Sequence, residues 1–514
     1  MNYKVLITTT GIGSRLGELT NYTNKSLIRI GDKPAISHII EKYADDASFV
    51  ITLGHFGHHV REFLEMAYPN RAFEFVEVKN YSGPGSSLAY SIMQAKDKLQ
   101  CPFVFNACDS ILHNSYLIMD SVYQNFCIGS QVEDSSHYTT LLVEDEKVKQ
   151  IKDKGEINYD AVYIGICGIK DYEMFWDELE SLLAENQGNS SLFEGDIINR
   201  MLGDKKFFFV ETADWFDIGN VGELEKTRKH FKSTAEVLEK KEESIYFFDK
   251  HVIKFFHNKE IANNRVLRGV QLKGIVPEIV DYKSNFYKYE KSQGNLMAKV
   301  VTQDSFQMLL DWSQQNLWLK KDVEDFNELC YKFYIDKTKS RIEKYVEKYD
   351  DSEQMINGLL VPTATELLAQ VDHRWLCDGK PSQFHGDFIL DNILQTKDGF
   401  RLLDWRQDFA GNIEVGDIYY DLAKLNHNLT VNHEIVNNKL FSHSEQNCYI
   451  LCNSTLVSCK KILESFVLKN NLDFKKVETL TALIWINMAP LHEYPFNNFL
   501  FNFGKYNLKR SLND

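Results

Sequence analysis

The sequence predicts an α/β domain with a mostly parallel sheet, followed by an α+β domain with a small β-rich lobe and a large helical lobe. Three observations carry this expectation. Over residues 1–230 short β-like runs alternate with amphipathic stretches, the pattern of strands joined through crossover helices. Between 226 and 243 Lys and Glu recur at helical spacing, which predicts a helical linker over 231–243. Beyond it, β-like runs precede a mostly helical stretch that begins near Met308. At 514 residues the chain exceeds what one hydrophobic core ordinarily serves, so more than one domain is expected.

In the first domain, 1–230, strands are expected over 3–8, 47–53, 73–78, 103–107, 139–143, 162–169 and 206–210. Helices are expected over 36–43, 59–66 and 86–95. In the second domain, 244–514, the runs 244–248, 252–256 and 286–290 supply the small lobe, and a break near 385–412 interrupts the helical lobe.

Composition narrows the function classes. A hydrophobic fraction of 44% with 25% charged residues is that of a globular protein. The formal net charge is −15 and no sustained Lys/Arg block occurs, which argues against nucleic acid or an anionic membrane as partner. No run approaches the ~18 apolar residues that span a bilayer. The opening residues, Met1-Asn2-Tyr3-Lys4-Val5, pass straight into a strand and lack the features of a signal peptide. The nine Cys are scattered without a C-x-x-C pair and read as reduced thiols of a cytoplasmic protein; Cys448 and Cys452 read as helix-core thiols. Homo-oligomerisation is left open.

Directly after the first strand comes Gly11-Ile12-Gly13-Ser14-Arg15-Leu16. Glycines let backbone N–H groups approach phosphate oxygens, so Gly11, Gly13 and Ser14 are expected to hold a triphosphate. Arg15 and Lys25 are the cations expected to stabilise charge as the α-phosphate is attacked. His55, His58 and His59 lack regular ligand spacing and read as surface or helix-start residues.

These residues resemble the sugar-phosphate nucleotidyltransferase family, with its G-x-G-[ST]-R-L, P-K and G-x-K-P motifs. Ser14, Arg15 and Lys25 match, Gly31-Asp32-Lys33-Pro34 supplies the G-x-K-P, and Asn24 stands where the family has proline. The resemblance spans about 1–230 and implies a Rossmann-like fold. It further implies that Asp109 and Asp217 jointly hold Mg²⁺, and that Gly85 and Ser86 of Gly83-Pro84-Gly85-Ser86-Ser87 touch the nucleobase. Lys154 and Glu194-Gly195-Asp196 fall where the family binds its phosphorylated acceptor.

A second signature, His385-Gly386-Asp387-Phe388-Ile389-Leu390-Asp391-Asn392, has the D-x-x-x-x-N spacing of a phosphoryl-transfer loop. Asp387 is the expected base, and Asn392 and Asp404 the expected metal ligands. Lys254, on a predicted strand, is placed to reach nucleotide phosphates. These residues, with Gly416-Asp417-Ile418-Tyr419-Tyr420-Asp421-Leu422-Ala423, resemble the aminoglycoside phosphotransferase and choline kinase family, which implies a kinase-like fold over 244–514. Arg406 stands where choline kinases tend to carry an acid, which favours a sugar or polyol acceptor.

The two resemblances together imply a bifunctional enzyme. ATP phosphorylates a small hydroxyl compound, and a second NTP, CTP or UTP, then contributes its nucleotidyl group to form an activated precursor for capsule or lipopolysaccharide. Two alternatives stand beside this: choline kinase fused to phosphocholine cytidylyltransferase, and a nucleotide-binding regulator with one inactive domain.

Overall fold

The computed structural model describes residues 3–117, 119, 121–234, 240–444 and 447–513. The chain divides into two compact units: Met1–Lys259 with Asp281–Lys288, and Glu260–Val280 with Tyr289–Asp514.

The first unit is built on a nine-stranded sheet. Its strands are β1 (Lys4–Thr9), β2 (Ser48–Leu53), β3 (Ala72–Glu77), β4 (Phe103–Ala107), β5 (Asn125–Ser130), β6 (Thr140–Glu144), β7 (Lys147–Lys152), β8 (Ala161–Ile169) and β9 (Phe207–Glu211), in the order β3-β2-β1-β4-β8-β5-β9-β7-β6. Alternate side chains enter opposite cores. Val5, Ile7, Phe49, Ile51 and Val104 join one cluster, while Leu6, Val50, Phe103 and Phe105 join the other. Near-continuous apolar runs are what a sheet covered on both faces requires.

The expected mostly parallel sheet holds for β3-β2-β1-β4, whose three pairings are all parallel. Beyond β4 the sheet is mixed, which corrects the expectation. β8 runs antiparallel to β4 and β5, and β7 antiparallel to β6 and β9; only β9 with β5 is again parallel. The physical reason lies partly in a tight hairpin. Glu144 pairs with Lys147 across Asp145 and Glu146, whose φ values of 51° and 56° are those of a two-residue turn matched to strand twist.

The described part of the expected 231–243 linker is not helical. The preceding helix, Val221–His230, ends before it, 231–234 are bends and coil, and Glu243 already begins a strand. Residues 235–239 of that expected helix lie outside the described residues. The runs expected for a small lobe are strands Glu243–Phe247, His251–Phe256 and Phe286–Glu290. The first two fall wholly within the first unit.

The second unit is mostly helical. Helix Phe474–Met488 is buried around most of its circumference and contacts helices Ile418–Asn428 and Phe496–Asn513. A three-stranded sheet of Asn295–Leu296, Ile393–Thr396 and Gly399–Leu402 flanks the 385–392 loop. No described helix is long and apolar enough to cross a membrane.

Candidate active sites

In the first unit, β1 delivers the chain into Gly11-Ile12-Gly13 and a 3₁₀ turn, Ser14–Thr20. Gly13 has φ 73°, and a Cβ there would meet Thr20 Cγ2 at 2.9 Å and Lys25 Cβ at 3.2 Å. Both the left-handed backbone and the close approach require glycine. Gly11 leaves open space at its Cα, while Ser14 and Arg15 are exposed.

Asn24, where the resemblance has proline, is fully buried and makes four hydrogen bonds. Its Nδ2 donates to Thr9 O at 2.7 Å and His55 O at 2.6 Å, tying the ends of β1 and β2. Its Oδ1 accepts from Ser26 N at 2.9 Å and Ser26 Oγ at 2.8 Å. Lys25 is thereby fixed at the first residue of a short 3₁₀ turn. Its Nζ stands 2.9 Å from Asp109 Oδ2, beyond the end of β4.

Burial works against the Lys25 charge, but Asp109 more than offsets it and raises the ammonium pKa above its usual range. Asp109 is likewise penalised by burial yet held below the usual carboxylate value by Lys25, with Arg15 contributing. Strand Trp215–Asp217 pairs antiparallel with Ser110–Leu112, which sets Asp217 beside Ser110. The Asp109 and Asp217 carboxylates close on Gly219. A Cβ there would stand 3.0 Å from Asp217 Oδ1 and 3.6 Å from Asp109 Oδ2. Burial, then the Asp109 charge, pushes Asp217 up to about 6. Facing carboxylates of this kind suit a divalent cation that takes its remaining ligands from phosphate oxygens. Among the described residues no group of three or more His, Cys, Asp or Glu side chains is arranged to hold a metal alone.

Sequence reasoning did not identify Tyr138, whose hydroxyl donates to Asp217 Oδ2 at 3.1 Å. Lys154 feels Arg15, Asp109 and Asp217, which places it in the same electrostatic neighbourhood. Gly85 and Ser86 are not drawn into the Lys25–Asp109 cluster by any described contact. Gly85 N donates to Gly188 O and Ser190 Oγ, and Ser86 Oγ donates to Gly83 O at 2.6 Å.

In the second unit the 385–392 loop is hung from helix Ile418–Asn428. Asp421, fully buried, accepts from His385 N at 2.7 Å, Gly386 N at 2.6 Å and Trp318 Nε1 at 3.1 Å. Gly386 has φ 85°, and a Cβ there would meet Arg406 Cβ at 2.6 Å. Asn392 Nδ2 donates to Asp387 O and Oδ2, both at 3.0 Å. Asp387 Oδ1 stands 2.7 Å from Lys424 Nζ, a partner that sequence reasoning missed. Burial opposes the Asp387 charge, but Lys424 more than compensates and brings the carboxyl down to about 2. Lys424 lies three residues after Asp421 on one helix face, so the helical spacing was its available signal.

Asp404, in a left-handed conformation at φ 54°, forms an ion pair with Arg265. Its charge reaches Asp387. Asp387, Asn392 and Asp404 thus offer oxygen donors of the type Mg²⁺ takes, with Arg265 sharing Asp404. Lys254 is buried on strand His251–Phe256, in the first unit.

No protein-family model matches the chain. Over 230 residues it is 23% identical to the bifunctional protein GlmU of Methanococcus vannielii, covering 43% of this chain and 53% of that protein. Over 233 residues it is 24% identical to GlmU of Methanococcus maripaludis, covering 44% and 54%. The chain therefore spans about half the length of the curated relatives it matches. Among solved structures, CTP:phosphocholine cytidylyltransferase from Streptococcus pneumoniae matches at 19% identity and a TM-score of 0.39, over 45% of this chain and 100% of that one. Inositol-1-phosphate CTP transferase from T. maritima matches at 14% identity and a TM-score of 0.37, over 46% and 98%.

Proposed function

We propose that the chain is a bifunctional enzyme in which a kinase supplies the phosphate monoester that a nucleotidyltransferase consumes. One observation carries this reading: in each unit, a motif aspartate meets a lysine far from it in sequence and forms a cation–carboxylate pair beside further motif residues. Lys25 meets Asp109 across 84 positions, and Asp387 meets Lys424 beside Asn392.

In the N-terminal reaction an oxygen of the phosphate monoester bonds to the α-phosphorus of an NTP, CTP or UTP. The bond from that phosphorus to the α,β-bridging oxygen breaks, and pyrophosphate leaves. Lys25 and Arg15 offset charge building on the α-phosphate, while Gly11, Gly13 and Ser14 present the loop that receives the triphosphate. In the C-terminal reaction Asp387 accepts the acceptor hydroxyl proton as that oxygen bonds to the γ-phosphorus of ATP, and ADP departs. Lys254 is assigned to nucleotide phosphates, and Gly85 and Ser86 to the nucleobase.

Mg²⁺ would be held by Asp109 and Asp217 in one site and by Asn392 and Asp404 in the other, where it neutralises phosphate charge. The product is an activated small molecule for capsule or lipopolysaccharide assembly in the cytoplasm. Arg406 disfavours the choline alternative, because a quaternary ammonium seeks carboxylates or aromatic faces free of competing cations.

The test supplies the full chain with ATP, each NTP and a panel of sugars, polyols and amino alcohols, and follows ADP and pyrophosphate separately. ADP release without an NTP, then pyrophosphate release that depends on that first product, is the expected result. Pyrophosphate release that never depends on a prior phosphorylation would refute the sequence of steps.

A further inference from the structure

The second unit contains a cavity of about 170 Å³ whose wall includes Lys424, the residue that grips Asp387. Three further cations line it: Lys337 and Arg341 from helix Lys337–Val346, and Arg406 from the loop after Asp404. Among the described residues no Asp or Glu lines the cavity. Facing acids are Asp387, already engaged by Lys424, and Asp408, whose charge reaches Lys337 and whose backbone carbonyl accepts from Arg406 Nε at 3.0 Å. Lys337, Arg341 and Arg406 make no ion pair among the described residues. Lys337 instead lies over the rings of Phe333 at 4.2 Å and Tyr420 at 5.8 Å, and Arg406 over Phe333 at 4.9 Å.

Lys424 has Asp387 as its counter-charge, and gathering three further cations around one small cavity is costly unless something negative enters it. Burial, then Arg406, Arg341 and Lys424, depresses the Lys337 ammonium well below its usual range, as expected of a positive cluster lacking its counter-charge. The volume is below the ~300–1,000 Å³ of a drug-sized pocket, so the occupant is compact.

Resting on the kinase reading above, we infer that this cavity receives the phosphoryl acceptor and that the acceptor is a small anion bearing a hydroxyl, a hydroxy-carboxylate or a polyol monophosphate. Lys337, Arg341 and Arg406 hold its anionic group while Lys424 keeps Asp387 ionised beside the hydroxyl. This reverses the charge expected of a choline-type acceptor.

Glycerate, glycerol phosphate, glycerol and ethanolamine form a matched set of anionic, neutral and cationic hydroxyl compounds. Two readouts on the full chain separate this inference from the reading beneath it: ADP release with ATP and Mg²⁺, and the thermal midpoint without ATP. The anions should raise the midpoint and be the preferred acceptors. Lys337→Met and Arg341→Met should each raise the acceptor KM by at least about tenfold with the ATP KM unchanged, as expected for loss of a charged hydrogen-bond donor. Preference for glycerol or ethanolamine, a rise in the ATP KM alone, or no midpoint response to either anion would overturn the anionic assignment. Stabilisation by an anion, lost in Lys337→Met, without ADP release from any acceptor would keep the anion site and refute the kinase reading.

Discussion

The two carboxylate clusters solve the same electrostatic problem differently. In the first unit Lys25 neutralises Asp109 only, and Asp217 is left to feel both burial and its neighbour's charge, which carries it up to about 6. In the second unit each aspartate has its own cation, Lys424 for Asp387 and Arg265 for Asp404, and Asp387 falls to about 2. One lysine against two carboxylates leaves a negative charge that, in the function proposed above, a divalent cation would meet. Asp387, with a lysine of its own, is ionised whether or not a ligand is present. Among the described residues the first cluster thus leaves Asp217 without a cation of its own, while the second matches its carboxylates with its own side chains.

Breaking each cluster separately gives the largest effects. Asp387→Asn removes the proposed proton acceptor and should lower phosphorylation by about 10²–10⁴, while nucleotidyl transfer to a pre-phosphorylated acceptor proceeds at the parent rate. Loss of both activities would show that the sites are not independent. Lys25→Ala should lower nucleotidyl transfer by about 10²–10³, with the phosphorylated intermediate accumulating in a coupled assay. Unchanged pyrophosphate release from that variant would remove Lys25 from the mechanism.

Asn24 is the next point of leverage and also shows what was legible in the sequence. Its backbone, φ −73° and ψ 145°, is one that proline adopts, so the departure from the resemblance leaves the chain path intact. What replaces the rigid ring is a set of side-chain hydrogen bonds to Thr9, His55 and Ser26, which no single-sequence pattern reveals. Asn24→Ala should cost about 2–4 kcal/mol in urea unfolding, because several buried partners lose their bonds. Asn24→Pro should recover up to about 1 kcal/mol of that by restricting the unfolded chain. Equal midpoints for both variants and the parent would show that Asn24 is not the anchor. Apolar runs such as 103–107 announced their strands because a sheet covered on both faces needs them. Strand β7, Lys147–Lys152, did not, since adjacent exposed Lys149 and Gln150 break its alternation where the register shifts, and its turn is Asp-Glu rather than Asn-Gly. At the candidate sites, Lys25, Asp387 and Asn392 stand in motif spacings that single them out, and the fold brings Lys25 to Asp109 and Asn392 to Asp387. Lys337 and Arg341 were not, because they reach the cavity from a helix that carries no motif.

The finest separation between the clusters is pH. Asp217 sits at about 6 against an ordinary 3.8, so below about pH 6 it gains a proton and loses the charge a cation requires. The kcat/KM of nucleotidyl transfer should therefore fall about tenfold per pH unit below that point, whereas phosphorylation should show no Asp387 limb above about pH 3. The stability signs are opposite. A carboxyl raised on folding lends stability that is full below 3.8 and lost as pH rises through about 6, so ionised Asp217 is a burden at neutrality. A carboxyl lowered on folding lends stability above 3.8 that is lost as pH falls through about 2, which is the case for Asp387. Asp217→Asn should consequently raise the ligand-free stability at pH 7 by about 1–2 kcal/mol while removing nucleotidyl transfer. A variant that is destabilised at pH 7, or a transfer profile flat from pH 7 to 5, would mean that the two clusters are poised alike.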